Sequence, residues 1–403
     1  MTMRHAITAG FVPLLDSALL VAAREKGFAE AQSIDLTLVR ERSWASIRDR
    51  LAVSHFDVAH ILGPMPIACN LGLSAPAPEM IVPMALGLGG NAVTVSAALW
   101  RAMAEEGATA DLDARRNGAA LARVAGARRG EPLRFGVVHP YSGHNYELRY
   151  WLAASGVDPD RDVEIVVLPP PDMGDALAEG GIDGYCAGEP WNTFGVLRRG
   201  AHLATVKAAI WRSSPEKVLG VNARWADANP EAMAALLAAL YRASVWCASP
   251  GNREELAGLL ARPAYVGQNA ELLMPALSGL MPVGGGAVRG VGDFFVPNAK
   301  AATFPWKSHA LWFYTQMVRW RQVAHTAEHR RIAAQTYRPD IYRAALGGLG
   351  IAMPSASAKV EGALTAETPV GSSGALTLGP DGFFDGGRFD PDDLDAYIAA
   401  QSA

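Results

Sequence analysis

Cysteine is scarce in this chain: Cys69, Cys186 and Cys247 stand far apart among 403 residues. An odd number at wide spacing suggests neither a disulfide framework nor a zinc knuckle, and three buried free thiols in a reducing compartment is the simplest reading. Runs of like charge are also missing, so no acidic or basic tail is present. The formal net charge is −4, which argues against a surface dedicated to nucleic acid. No uninterrupted apolar run reaches about eighteen residues, so no transmembrane helix is expected. The N-terminal "MTMRHAITAGFVPLLDSALLVAA" imitates an export signal, but Pro13 and Asp16 interrupt it and residues 5–12 read as a first strand. An uncleaved start and a cytoplasmic protein are therefore expected.

Catalytic signatures are lacking as well. There is no Gly-x-Ser-x-Gly elbow, no HExxH, no P-loop lysine sequence and no GxGxxG after the first strand. No catalytic residue, no metal site and no cofactor are expected, and the chain reads as a non-enzyme.

What is present is an ordinary globular composition, 50% hydrophobic and 19% charged, long enough for two or three lobes with real cores. Strand patterns at 5–12, 34–41, 56–63 and 79–88 alternate with helical ones at 17–30, 43–53 and 64–71. The pattern then recurs, with strands at 133–140, 163–170 and 181–188 and helices at 144–155, 172–179 and 190–199. Alternation of this kind predicts parallel α/β sheets. Residues 92–96 and 203–209 are candidate crossings, and "KVLGVNARW" (217–225) is a return to the first half. Two α/β lobes joined by two crossing strands predict a clamshell. The expected limits are 1–90 with 215–350 for the first lobe, 91–214 for the second, and 351–403 for an extension packed on both.

Ligands of such sheets bind beyond the carboxyl ends of the strands, where helix N-termini offer free N–H groups. The residues expected there are Ser43 and Trp44, Asn91, Gly143 and His144, Pro170, Gly188 to Trp191, and Lys217. This set is rich in donors and poor in carboxylates, with Glu189 the main exception, and it fits a small anion. Each member also has a plain structural role. Trp44 shares a helical face with Ile47 and Leu51, His144 suits a cap, Lys217 suits a solvated strand end, and Gly188 with Pro190 suits a turn. Trp191 suits packing, and Glu189 is expected to pair with a basic group across the cleft.

Several stretches together resemble a known family. "SWASIRDRL", "RYWLAASGVDPDRDVEIVVLPPPDM", "DGYCAGEPWN", "PEKVLGVNARWA", "FPWKSHALWF" and "DGGRFDPDD" are similar to the nitrate/bicarbonate-binding proteins of ABC transporters, over almost the whole chain. The resemblance implies a type II periplasmic-binding-protein-like clamshell. It places a nitrate site on Trp44, Asn91, His144, Pro170, Gly188 and Lys217, with Asn91 where transport members more often carry glutamine. A lysine at 217 implies nitrate or nitrite without calcium. With no leader or lipobox cysteine ahead of the first strand, the chain more closely resembles the cytosolic branch, the NasS-type nitrate/nitrite sensors. The implied partner is a NasT-type RNA-binding antiterminator with an ANTAR domain, released when the anion binds; the alternative is a substrate receptor of an ABC transporter. A thiamine-pyrimidine-synthesising enzyme on the same fold would need a cysteine-rich or substrate-lysine site, which the residues at the helix starts do not supply.

Overall fold

A computed structural model describes residues 4–74, 78–128, 130–371 and 375–402. Ten strands build its two main sheets: β1 (His5–Phe11), β2 (Ile34–Arg40), β3 (Val58–Leu62), β4 (Met80–Ala85), β5 (Asn91–Val95), β6 (Leu133–Val137), β7 (Val163–Val167), β8 (Gly184–Gly188), β9 (His202–Val206) and β10 (Lys217–Asn222). The first sheet has the order β2-β1-β3-β10-β4 and the second β9-β5-β8-β6-β7. The two-lobed fold expected from the alternation is thus present.

The sheets are mixed, however, where wholly parallel ones were expected. β1 runs parallel to β2 and β3, but β10 is antiparallel to both β3 and β4. In the second sheet β5 is antiparallel to β8 and β9, while β6 is parallel to β7 and β8. The reason is the route of the chain. A parallel strand ends at the cleft, whereas a strand arriving from the other lobe begins there and must run back through the sheet. Consequently Asn91 and Lys217, the first residues of β5 and β10, stand at the same level as the ends of neighbouring strands. Asn91 is in register with Gly188, and Lys217 with Leu62.

The strands are hydrophobic throughout because helices cover their faces: every residue of β3, β4, β5, β8 and β10 is buried. The helix Pro230–Ala248 is long and apolar enough by composition to cross a membrane, contrary to expectation. Leu236, Leu237, Ala239, Leu240 and Ala243 are nevertheless fully buried in it, against the helices Ala18–Glu25 and Pro339–Leu346, so it serves as a core helix.

Beyond the helix Pro339–Leu346 the chain makes one two-stranded ribbon, Thr368–Val370 with Leu376–Leu378, and a last helix, Leu394–Ser402. This segment packs back on the lobes. The Phe383 ring stacks on Trp211 at 4.6 Å and lies 5.4 Å from Tyr150, and the Tyr150 hydroxyl donates to Asp385.

Candidate functional site

Local sequence explains how each expected residue reaches the cleft. Trp44 opens the helix Trp44–Ala52, which Ser43 caps by accepting the Ser46 N–H at 3.1 Å. Ile47 and Leu51 share the buried face of Trp44, so the indole is anchored in the core. Its ring also lies 5.4 Å beneath the Lys217 ammonium, and its Nε1 is buried without a hydrogen-bond partner. His144 is the second residue of the helix Gly143–Ala154, capped by Ser142, whose Oγ accepts the Asn145 N–H at 3.0 Å. Trp44, Asn91, His144 and Lys217 are all buried.

Around them the cleft is not poor in carboxylates, as the sequence suggested. The Lys217 ammonium stands 2.8 Å from Asp16 Oδ2 and donates to Glu216 Oε1 at 2.7 Å. Asn91 Nδ2 donates to the same Oε1 at 3.0 Å, and His144 Nε2 lies 3.4 Å from it. A second ammonium, Lys207, stands 2.9 Å from Glu147 Oε1 and 3.6 Å from Glu216 Oε2, and donates to the Pro215 carbonyl. His60 Nε2 lies 2.8 Å from Asp16 Oδ1. The correction has a plain cause: a buried ammonium is tolerated only beside compensating charge, so the lysines brought their carboxylates with them.

Burial and charge pull these groups in opposite directions. Burial would raise the Asp16 carboxyl, but Lys217 and His60 hold it down at about 2. Glu216 is likewise held well below the carboxylate range, by Lys207 and Lys217 against its burial. Glu147 goes the other way: burial, with Lys207 opposing, leaves it at about 8. Burial lowers His144 to about 3, so its ring is a neutral imidazole with one donor and one acceptor nitrogen. Burial lowers Lys217 too, but Asp16 and Glu216 more than offset this and hold it above its ordinary value.

The remaining expected residues fall at different distances from this cluster. Gly188 is a point of approach between the lobes: a Cβ there would stand 3.4 Å from Asn91 Oδ1 and 3.7 Å from Asp16 Oδ2. Nearby, the Leu15 N–H donates to the Glu189 carbonyl at 2.9 Å. Glu189 has no basic partner among the described residues, contrary to expectation. Its carboxylate accepts the Thr193 N–H at the start of the helix Trp191–Arg199, and burial pushes it up to about 7. Trp191 is buried edge-on to Phe194, a packing role. Pro170 is buried in the short turn after β7, the edge strand, with β6 between β7 and β8. The three thiols are free and buried, with burial raising Cys69 to about 11 and Cys186 and Cys247 well above the ordinary range, so none is poised as a nucleophile.

Sequence reasoning missed Asp16, His60, Glu147, Lys207 and Glu216. A signal was available: Asp16 in "PLLDSALL" and Lys207 in "LATVKAAI" are lone charges inside apolar runs. Such residues are almost never fully buried unless paired, so each implied a partner elsewhere in the chain.

Residues 3–261 match the family model described as the NMT1-like family. The chain belongs to the NMT1-like family. It is 33% identical over 407 residues to the nitrate/nitrite binding protein NrtA of Synechococcus elongatus, covering 97% of this chain and 85% of that protein. It is 35% identical over 344 residues to the nitrate import ATP-binding protein NrtC of Synechocystis, covering 85% of this chain but only half of that longer protein. The crystal structure of the periplasmic nitrate-binding protein NrtA from Synechocystis superposes over 99% of both chains, with a TM-score of 0.86 and 26% identity. This NMT1-like chain therefore shares the periplasmic-binding-protein clamshell over its whole length, including the segment after the last main helix.

Proposed function

We propose that the chain binds nitrate or nitrite between its lobes, and that it is a sensor which holds an ANTAR-type RNA-binding antiterminator and frees it when the anion binds. The observation that carries the anion reading is the convergence of Lys217, Asn91 and His144 beside the unpartnered Trp44 indole N–H, in a chain related to nitrate/nitrite binding proteins. A planar, singly charged anion needs one cation, several N–H donors and dry walls, and charge-assisted hydrogen bonds are the strong ones. A doubly charged oxyanion would bring a second charge that the cluster does not balance. Calcium is not part of the reading: the Lys217 ammonium itself bridges Asp16 and Glu216, the place where a divalent cation would join two carboxylates. Pro170 and Gly188 complete the proposed site through their backbone. Calorimetry tests this reading. Nitrate and nitrite are expected to bind with a dissociation constant near or below about 1 μM, unaffected by a chelator. Preference for bicarbonate, or dependence on calcium, overturns it.

The sensor role rests on the clamshell. A ligand that favours one lobe arrangement and a partner that favours another are coupled reciprocally. Millimolar anion at a micromolar site supplies about 4 kcal/mol, enough to shift a complex substantially. The cytoplasmic location and the absence of direct RNA contact belong to this proposal. Size-exclusion chromatography with the purified regulator, with and without nitrate, tests it: a complex that never forms, or that survives saturating anion, refutes it. The second reading, a receptor for an ABC transporter, is favoured by the kinship with NrtA and NrtC. Cell fractionation separates the two.

A further inference from the structure

Three of the proposed ligand-holding residues meet at one atom. Lys217 Nζ, Asn91 Nδ2 and His144 Nε2 lie 2.7, 3.0 and 3.4 Å from Glu216 Oε1. Asn91 and His144 belong to the second lobe, whereas Glu216 immediately precedes β10 of the first. We propose that Glu216 is a built-in counter-anion that competes with the bound anion for these donors, sets its affinity, and ties the two lobes together. The proposal deepens the nitrate/nitrite reading above and rests on it.

The chemistry of competition is direct. A carboxylate is planar, singly charged and offers its oxygens to the same N–H groups that a nitrate or nitrite oxygen would seek. Every donor given to Glu216 is one the ligand must share or take. The fold makes room for this carboxylate specifically. Gly143 has no side chain where a Cβ would stand 2.9 Å from Glu216 Oε2, and the Pro215 carbonyl just ahead of it is held by Lys207. A displaced carboxylate has a place to turn, because Lys207 stands 3.6 Å from Oε2 and its other neighbour, Glu147, readily keeps its proton. Asp16 remains on Lys217 through its own oxygen, so the ammonium is not left without a partner when Glu216 moves.

The test compares wild type with Glu216→Gln and Glu216→Asp in nitrate calorimetry. The amide removes the competing charge, and the shorter acid withdraws it from Asn91 and His144. Affinity is expected to rise tenfold or more in Glu216→Gln and by less in Glu216→Asp. Equal or weaker affinity in both folded variants overturns the competitor role. A second readout needs no ligand. Val53 and Val167 are exposed, one in each lobe, and paired spin labels there report the lobe separation. In anion-free protein Glu216→Gln is expected to lengthen or broaden that distance, and an unchanged distribution overturns the bridging role. If neither wild type nor variant binds nitrate, the nitrate reading fails, and the label distances still decide whether Glu216 joins the lobes.

Discussion

Two places in this molecule use the same chemistry. In the cleft, Lys217 lies between the carboxylates of Asp16 and Glu216, over the ring of Trp44, with His144 3.4 Å from Glu216. In the C-terminal segment, Lys359 lies between Glu361 and Asp381, 6.0 Å from the ring centre of Trp306, with His309 3.4 Å from Glu361. The difference is in what each cluster joins and in what it leaves over. Glu361 also accepts the Ser308 hydroxyl at 2.6 Å, and Asp381 accepts the Leu364 N–H at 2.9 Å, so the C-terminal carboxylates are spent on fastening the chain. Glu216 collects donors from both lobes, and beside it the Trp44 N–H has no partner. A buried lysine between two acids is thus a staple when its surroundings are satisfied and of one piece. It is a candidate site when it bridges two bodies and spare donors face it.

The largest expected effect tests that contrast. Lys217→Met leaves Asp16 and Glu216 uncompensated, so stability should fall by about 3–5 kcal/mol, and nitrate binding should be lost. Denaturant titration and calorimetry measure the two losses. Lys359→Met should cost a similar amount of stability, about 3–5 kcal/mol, for the same reason. Its nitrate affinity should stay within about twofold of wild type once the protein is folded. A large loss of affinity there would erase the distinction between staple and site.

Acid should affect both clusters together. Asp16 and Glu361 are both held at about 2 in the folded protein, below their ordinary values. A depressed carboxyl contributes stability above its unfolded pKa and loses it as pH falls through the folded one. Each should lose about 2–3 kcal/mol between roughly pH 5 and pH 2. Only the cleft should respond at the alkaline side. Glu147, raised to about 8, binds its proton more tightly when folded, so its contribution declines as pH rises from its ordinary value through about 8. Glu147→Gln should flatten that decline in a pH series of melting curves, and an unchanged slope would remove Glu147 as its source.

The smallest effect is expected at Gly188. An added methyl there meets Asn91 and Asp16 at ordinary contact distances, so Gly188→Ala should fold normally and weaken nitrate by only a few-fold. A loss of about a hundredfold would mean that the ligand lies directly against this backbone.

The clamshell was legible in the sequence because its evidence is local. Apolar runs of strand length, Ser43 before Trp44, and the return strand opening at Lys217 each follow from backbone geometry within a few residues. The same reading placed Trp44, Asn91 and His144 at element starts. The direction of the crossing strands was not local, since it depends on which side of a sheet the chain enters. Nor was the company of Lys217. Asp16 lies about two hundred positions before it, and Glu216, its sequence neighbour, shows no sign in the string of turning inward. The sequence by itself determined the elements, their order, and that lone charges in apolar runs would need partners. Only the tertiary structure decided which charges meet, because a buried ion pair is fixed by where two lobes close on each other and not by spacing along the chain.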